Sequence, residues 1–151
     1  MSESSLLDSL CASRNPSEIM VLPWSMTIVD CYFLATALAS CCEGHEVWRL
    51  DNYENELVSS HLQFPGVYDI YGIDRDGGDI DQALVVSGRE EFCFWDQDER
   101  FVAIAGSRLF LDIACPYPEE IARQRFIETS WNLNGMSDDE LATFYDRLKR
   151  L

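Results

Sequence analysis

Positive charge is scarce in this sequence. Eleven lysines and arginines stand against 27 aspartates and glutamates, and the formal net charge at pH 7 is −16. Nucleic acids and anionic membrane surfaces are polyanions, and such a chain would repel both of them. We therefore expect neither nucleic acid nor a membrane surface among the direct ligands of this protein.

A long, uninterrupted apolar run is also lacking. The best candidate for a membrane span covers residues 20–42, but this segment contains Pro23 and Asp30 and is flanked by Glu18 and Glu43. A spanning helix with a cytoplasmic anchor would have basic flanks and would lack a charge near its middle. The sequence therefore predicts no transmembrane helix.

Signatures of catalysis and of cofactor binding are missing as well. We find no phosphate-binding glycine loop, dinucleotide fingerprint or nucleophile elbow. Cys41 and Cys42 are adjacent, so on a helix they would point about 100° apart and would chelate zinc poorly. The loop from Asp74 is rich in carboxylates, but Gly78 and Val85 stand where an EF-hand needs acidic ligands. No catalytic residue, metal site or cofactor is predicted.

The six cysteines have surroundings typical of free thiols. Cys31, Cys41 and Cys42 lie in an apolar run, and Cys93 stands between two phenylalanines. The N-terminus also lacks the basic segment of a signal peptide. We therefore expect buried free thiols, as in the reducing cytoplasm, rather than three disulfides.

Length and composition predict one domain over residues 1–151. The chain is 47% hydrophobic and 12% aromatic, which is enough for one core. Helices are expected from Ser4 to Ala12 and from Met26 to Cys42, and the second of these is apolar almost all round. Two more helices are expected at the C-terminal end, over residues 118–131 and from a capping box at Ser137 onwards.

Between these helices the pattern indicates a run of short strands. Residues 45–50 alternate between apolar and polar side chains and predict a first strand, before an acidic loop. Five further strands follow from β-branched and aromatic content between turn residues, at 67–73, 83–87, 92–95, 101–105 and 109–115. Connections this short join only antiparallel neighbours, so we predict an α+β fold with an antiparallel meander of five to six strands.

The acidity of the chain is concentrated in this strand-rich part. Residues 43–120 contain eighteen acidic residues and five arginines. In a meander, alternate turns meet at the same end of the sheet, so the turn at 74–81 and the loop at 96–100 should lie together. The predicted partner-binding residues are seven carboxylates and one aromatic anchor: Asp74, Asp76, Asp79, Asp81, Asp96, Asp98, Glu99 and Trp95.

A concentrated acidic field favours fast association with a basic partner. The leading hypothesis is therefore a small cytoplasmic protein that binds and neutralises a basic protein, such as a nuclease-type toxin, in the manner of a bacterial antitoxin or immunity protein. One alternative is an enzyme or small-ligand-binding domain with a pocket around Asp30, which should have a raised pKa unless an arginine pairs with it. Another is a homodimer that forms through the helix from Met26 to Cys42.

Overall fold

The fold is a six-stranded sheet with helices on both faces. The computed structural model describes residues 5–54, 56–63, 65–76, 80–130, 133 and 135–151, apart from the side chains of Ser5 and Asp76. The helices are α1 (Ser5–Arg14), α2 (Ile28–Cys41), α3 (Val67–Asp76), α4 (Arg108–Ala114), α5 (Glu119–Thr129) and α6 (Asp138–Lys149). The strands are β1 (Glu18–Pro23), β2 (Val47–Tyr53), β3 (Glu56–Leu62), β4 (Asp81–Val86), β5 (Phe92–Trp95) and β6 (Phe101–Gly106).

All neighbouring strands of the sheet are antiparallel, in the order β1-β6-β5-β4-β2-β3. Strands β4, β5 and β6 are consecutive in both sequence and space, which confirms the predicted meander in this part of the chain. The strands β1 and β3 form the two edges. The predicted α+β class is confirmed.

Successive side chains of the central strands point to opposite faces, and each face has its own core. Cys93 and Trp95 pack under α2, α3 and α4, together with Leu84 and Ile104. Phe92 and Phe94 pack on the other face under α1, α5 and α6. Because both faces are covered, β4, β5 and β6 are buried along their whole length.

Two of the predicted strands, 67–73 and 109–115, are wrong, because these segments form α3 and α4. In α3 the buried residues Ile70 and Ile73 stand three positions apart, which is a helical spacing. Ser107 caps the start of α4, and its hydroxyl accepts a hydrogen bond from the backbone N–H of Phe110. β-Branched and aromatic residues therefore fill the buried sides of two short helices rather than two strands.

The four predicted helices are confirmed as α1, α2, α5 and α6, although Ser4 and Trp131, at the ends of two predicted helices, lie outside the described residues. The capping box joins Ser137 to Glu140 at the start of α6, and an equivalent box joins Thr27 to Asp30 at the start of α2. In contrast, the segment expected to be an acidic loop after residue 50 continues β2 to Tyr53 and returns as β3.

All six cysteines are free, and Cys31, Cys42, Cys93 and Cys115 are buried. Burial raises the pKa of the Cys31 thiol to about 12, so this thiol stays protonated at neutral pH. Within the described ranges, no helix has the length and apolar character needed to cross a membrane.

Candidate partner-binding surface

One end of the sheet gathers most of the residues predicted to bind a partner. At this end, called the tip end below, Asn52 of β2 pairs with Asp81 of β4, and Gln82 pairs with Trp95 of β5. The loop 96–100 leaves the sheet here, and the backbone N–H of Gln97 donates to Asp81 Oδ1 at 2.8 Å. The prediction that the residues around Asp81 and the loop 96–100 share one end is confirmed.

The side chain of Asp96 is buried and supports the loop that follows it. It accepts hydrogen bonds from Arg100 Nε at 2.7 Å, from Arg100 Nη2 at 2.9 Å and from the Arg100 backbone N–H at 3.1 Å. Asp81 is equally inaccessible, with 4% exposure. Neither carboxylate can reach a lysine or arginine of a partner in this conformation.

Asp74 and Trp95 are also buried, and they contact each other. Asp74 Oδ1 accepts from Trp95 Nε1 and from the backbone N–H of Met26, both at 3.1 Å. Asp74 Oδ2 is buried and has no hydrogen-bond partner among the described residues. Burial is the main cause that raises the pKa of this carboxyl above its ordinary value. The expectation that Asp74, Asp81, Asp96 and Trp95 lie on an exposed surface is therefore wrong, because packing of α3 and the loop 96–100 turns them inward.

The rest of the predicted set is divided between exposed and undescribed residues. Asp98 is 64% exposed, and its carboxylate lies 3.9 Å from Arg100 Nε. Glu99 is half-buried and adopts a positive φ of 56°. The side chain of Asp76 and the whole of Asp79 lie outside the described residues. Asp98 is thus the exposed carboxylate that the described structure retains from the predicted surface.

A second acidic segment, missed by the sequence analysis, reaches the same end. The β2–β3 hairpin turns there, with Tyr53 paired with Glu56, and Glu54 exposed between the strands. Tyr53 is 48% exposed, Leu57 51% and Val58 38%. We call Tyr53, Glu54, Glu56, Leu57 and Val58 the hairpin surface. It combines exposed apolar area with carboxylates. The signal for it in the sequence was the group of three acids, Asp51, Glu54 and Glu56, close to Tyr53 and Leu57.

Asp30, the residue of the alternative enzyme hypothesis, has an arginine partner. It is 1% exposed and accepts from Arg125 Nη1 at 3.0 Å, from Tyr117 Oη at 3.1 Å and from the backbone N–H of Thr27 at 2.8 Å. Burial opposes the charged form, but the bonds from Arg125 and Thr27 outweigh it and hold the pKa of Asp30 below its ordinary value. A general base works best with a pKa near the working pH, so Asp30 is better suited to its structural role.

The outer side of α2 exposes apolar side chains. Ile28 is 44% exposed, Val29 51% and Tyr32 58%. The one charged residue of this helix, Asp30, points inward to Arg125. The result is an uncharged patch on a strongly acidic protein, and we call Ile28, Val29 and Tyr32 the α2 face.

Among the described ranges, no group of three or more histidine, cysteine, aspartate or glutamate side chains is arranged to hold a metal ion. Comparisons of the chain with protein-family models, with curated proteins and with solved structures found no match.

Proposed function

We propose that this protein binds a basic protein partner through the hairpin surface and Asp98, and that this binding neutralises the partner. The observation that carries the proposal is the position of exposed carboxylates beside exposed apolar side chains at one end of the sheet. Glu54 follows Tyr53 and Glu56 precedes Leu57, and the side chains of Tyr53 and Leu57 are each about half exposed. An exposed ring supplies contact area, while the acids around it orient a basic partner.

The charge of the whole chain supports the same proposal. A net charge of −16 costs stability through self-repulsion, and a folded protein gains from it when it attracts a cationic surface. A nuclease binds its phosphate substrate through lysines and arginines, and carboxylates of an inhibitor pair with the same groups. The proposed mechanism is occlusion of such a site, as in antitoxins and immunity proteins of bacteria. The free thiols favour a cytoplasmic location.

A charge-reversal experiment tests this proposal. The protein is immobilised, and we identify the proteins of the source organism that bind it at about 50 mM NaCl and dissociate at about 500 mM NaCl. The association rate of each of these proteins is then measured. Reversal of three acids should lower the rate about 100-fold, because these acids lie nearest the proposed contact. The three substitutions are Glu54→Lys, Glu56→Lys and Asp98→Lys.

The matched control changes the net charge by the same amount at exposed acids elsewhere: Asp8→Lys, Glu43→Lys and Glu128→Lys. We expect the control to lower the association rate by no more than about threefold, because its charges act from a greater distance. Equal losses in both triple variants would mean that net charge alone attracts the partner. Failure to retain any basic protein would contradict the proposal itself.

The α2 face supports a second candidate function, which is self-association. Elsewhere the acidic surface repels another copy of the chain, whereas the α2 face has no exposed charge. Two such faces would bury Val29 and Tyr32 against each other without bringing carboxylates together. We propose a homodimer through α2 on this ground.

Val29→Glu should convert such a dimer into a monomer, raising the dissociation constant at least about tenfold, because it places a charge at the centre of the contact. The control is Ile121→Glu on α5, since Ile121 is 54% exposed and Val29 is 51% exposed. Sedimentation equilibrium measures the mass of both variants and of the wild type. A wild-type mass of 17.3 kDa at all concentrations would rule the dimer out.

A further inference from the structure

The two edges of the sheet are protected very differently. The strand β1 is buried from Ile19 to Pro23, and α5 and α6 pack against it. The Lys149 ammonium also donates a hydrogen bond to the carbonyl oxygen of Ile19. This edge is closed by the C-terminal part of the chain itself.

The edge formed by β3 is open. Residues Glu56 to His61 are exposed, and in the described part of the chain β3 pairs only with β2. Seven consecutive register pairs join β2 and β3, from Tyr53↔Glu56 to Val47↔Leu62, without a bulge. A regular edge strand presents a row of backbone N–H and C=O groups on its unpaired side.

Most of the usual means of blocking such an edge are absent from the sequence of β3, whose one acidic residue is Glu56 at its start. Proteins protect edge strands with lysine, proline, bulges or very short strands. Residues 56–62 contain no lysine, arginine or proline, and β3 is as long as β2. Leu57 and Val58 also expose apolar area, one on each face of the strand.

The charges near β3 indicate which kind of segment could pair with its open edge. Glu54 and Glu56 stand at the start of the strand, and Asp98 lies at the same end of the sheet. Two copies of this chain each carry a net charge of −16 and repel each other, so a second copy is a poor occupant of this edge. An extended segment with lysine or arginine at alternate positions would place its cations beside Glu54 and Glu56 and its backbone against the open edge.

We propose that β3 takes up an extended basic segment of the partner protein as a seventh strand of the sheet. This inference rests on the proposed function and adds the mode of recognition, in which backbone hydrogen bonds supply affinity and the neighbouring acids supply specificity. The contact surface is the outer edge of β3 with Leu57 and Val58, together with the carboxylates at the tip end.

A pair of synthetic peptides tests strand addition on the unmodified protein. The first is a peptide of about ten residues in which lysine alternates with threonine or valine, and the second has the same sequence with D-residues at alternate positions. Both carry the same charge, but only the first can form a regular strand. We expect the first to bind at least about tenfold more tightly, as measured by fluorescence anisotropy. Equal affinities, or no binding of either peptide, would overturn the proposal.

Proline substitutions block the edge without a change in charge. In an antiparallel pair the N–H groups of successive residues point to opposite sides, so either Ser59 or Ser60 directs its N–H outward. Both Ser59→Pro and Ser60→Pro are made. The variant that loses the outward N–H should keep the wild-type melting temperature and should bind the first peptide at least about tenfold more weakly. The other removes a hydrogen bond to β2 and should lower the melting temperature.

The two proposals fail in different ways. If the folded proline variant binds the first peptide as the wild type does, and the reversal of Glu54, Glu56 and Asp98 weakens binding, strand addition is wrong and electrostatic docking stands. If neither variant weakens binding, both proposals are wrong. If both proline variants unfold, the comparison of the two peptides alone decides whether strand addition is correct.

Discussion

Replacing Arg125 with alanine should lower the free energy of unfolding by about 3–5 kcal/mol, because it leaves a buried carboxylate without its cation. Asp30 is 1% exposed, and Arg125 is the one guanidinium that hydrogen-bonds to it in the described structure. The pair joins α2 on one face of the sheet to α5, which packs against the edge strand β1 and against the other face. Urea unfolding followed by tryptophan fluorescence measures the loss.

Arg123→Ala is the matched control on the same helix. Arg123 pairs with Asp146 at 3.1 Å, but both side chains are more than 40% exposed, so water replaces the lost contact. We expect little change in the free energy of unfolding. If the two variants were equally stable, the ion pair of Asp30 would have no special role in the fold.

The pH dependence of the same pair has a definite sign. The pKa of Asp30 is held below its ordinary value of 3.8, so the folded state binds fewer protons than the unfolded state in this range. The stabilisation that Asp30 provides is complete at pH values above its pKa in the unfolded state. It is lost as the pH falls through the pKa of Asp30 in the folded state. The difference in stability between wild type and Arg125→Ala should therefore shrink below about pH 4.

Asp96→Ala should also cost about 3–5 kcal/mol, since it leaves the Arg100 guanidinium without the carboxylate that it contacts through two nitrogens. The Asp96 side chain is 1% exposed and that of Arg100 is 11% exposed. The same carboxylate also accepts the backbone N–H of residue 100 and so fixes the loop. Thermal and urea unfolding measure this loss.

Asp98→Ala provides the comparison within the same loop. Asp98 is 64% exposed, and its removal should change the free energy of unfolding by less than about 0.5 kcal/mol. Two aspartates two positions apart would thus have opposite roles, one in stability and one in partner binding. Similar losses from both substitutions would show that the loop is not held by the buried pair.

Much of the architecture is readable from the sequence, and the errors have a common physical cause. Strands β4, β5 and β6 were predictable because short apolar runs alternate with turns, and α6 because of its capping box. The segments of α3 and α4 were misread because β-branched and aromatic content outweighed their helical spacing. A serine cap at Ser107 and the i,i+4 pair of Arg108 and Asp112, 3.0 Å apart, are the local signals that favour a helix.

The candidate surface was only partly predictable for a different reason. Sequence shows how many carboxylates lie near a turn, but not which of them bind neighbouring groups of the protein itself. Asp96 and Asp98 are indistinguishable as sequence, yet the return of Arg100 toward the sheet buries one and leaves the other exposed. For Asp30 the sequence left two alternatives, a raised pKa or an arginine partner, and α5 brings the arginine from 95 positions away.

The open β3 edge also affects the tendency of the protein to aggregate. In the absence of lysines or prolines along β3, the negative charge of the whole molecule is what keeps two such edges apart. The sequence isoelectric point is about 4.2, and near that pH the repulsion vanishes while the backbone groups of the edge stay available. Acidification should therefore drive ordered aggregation through β3, with a cross-β spacing of about 4.7 Å between stacked strands. The net negative charge at neutral pH would then prevent copies of the protein from aggregating through β3.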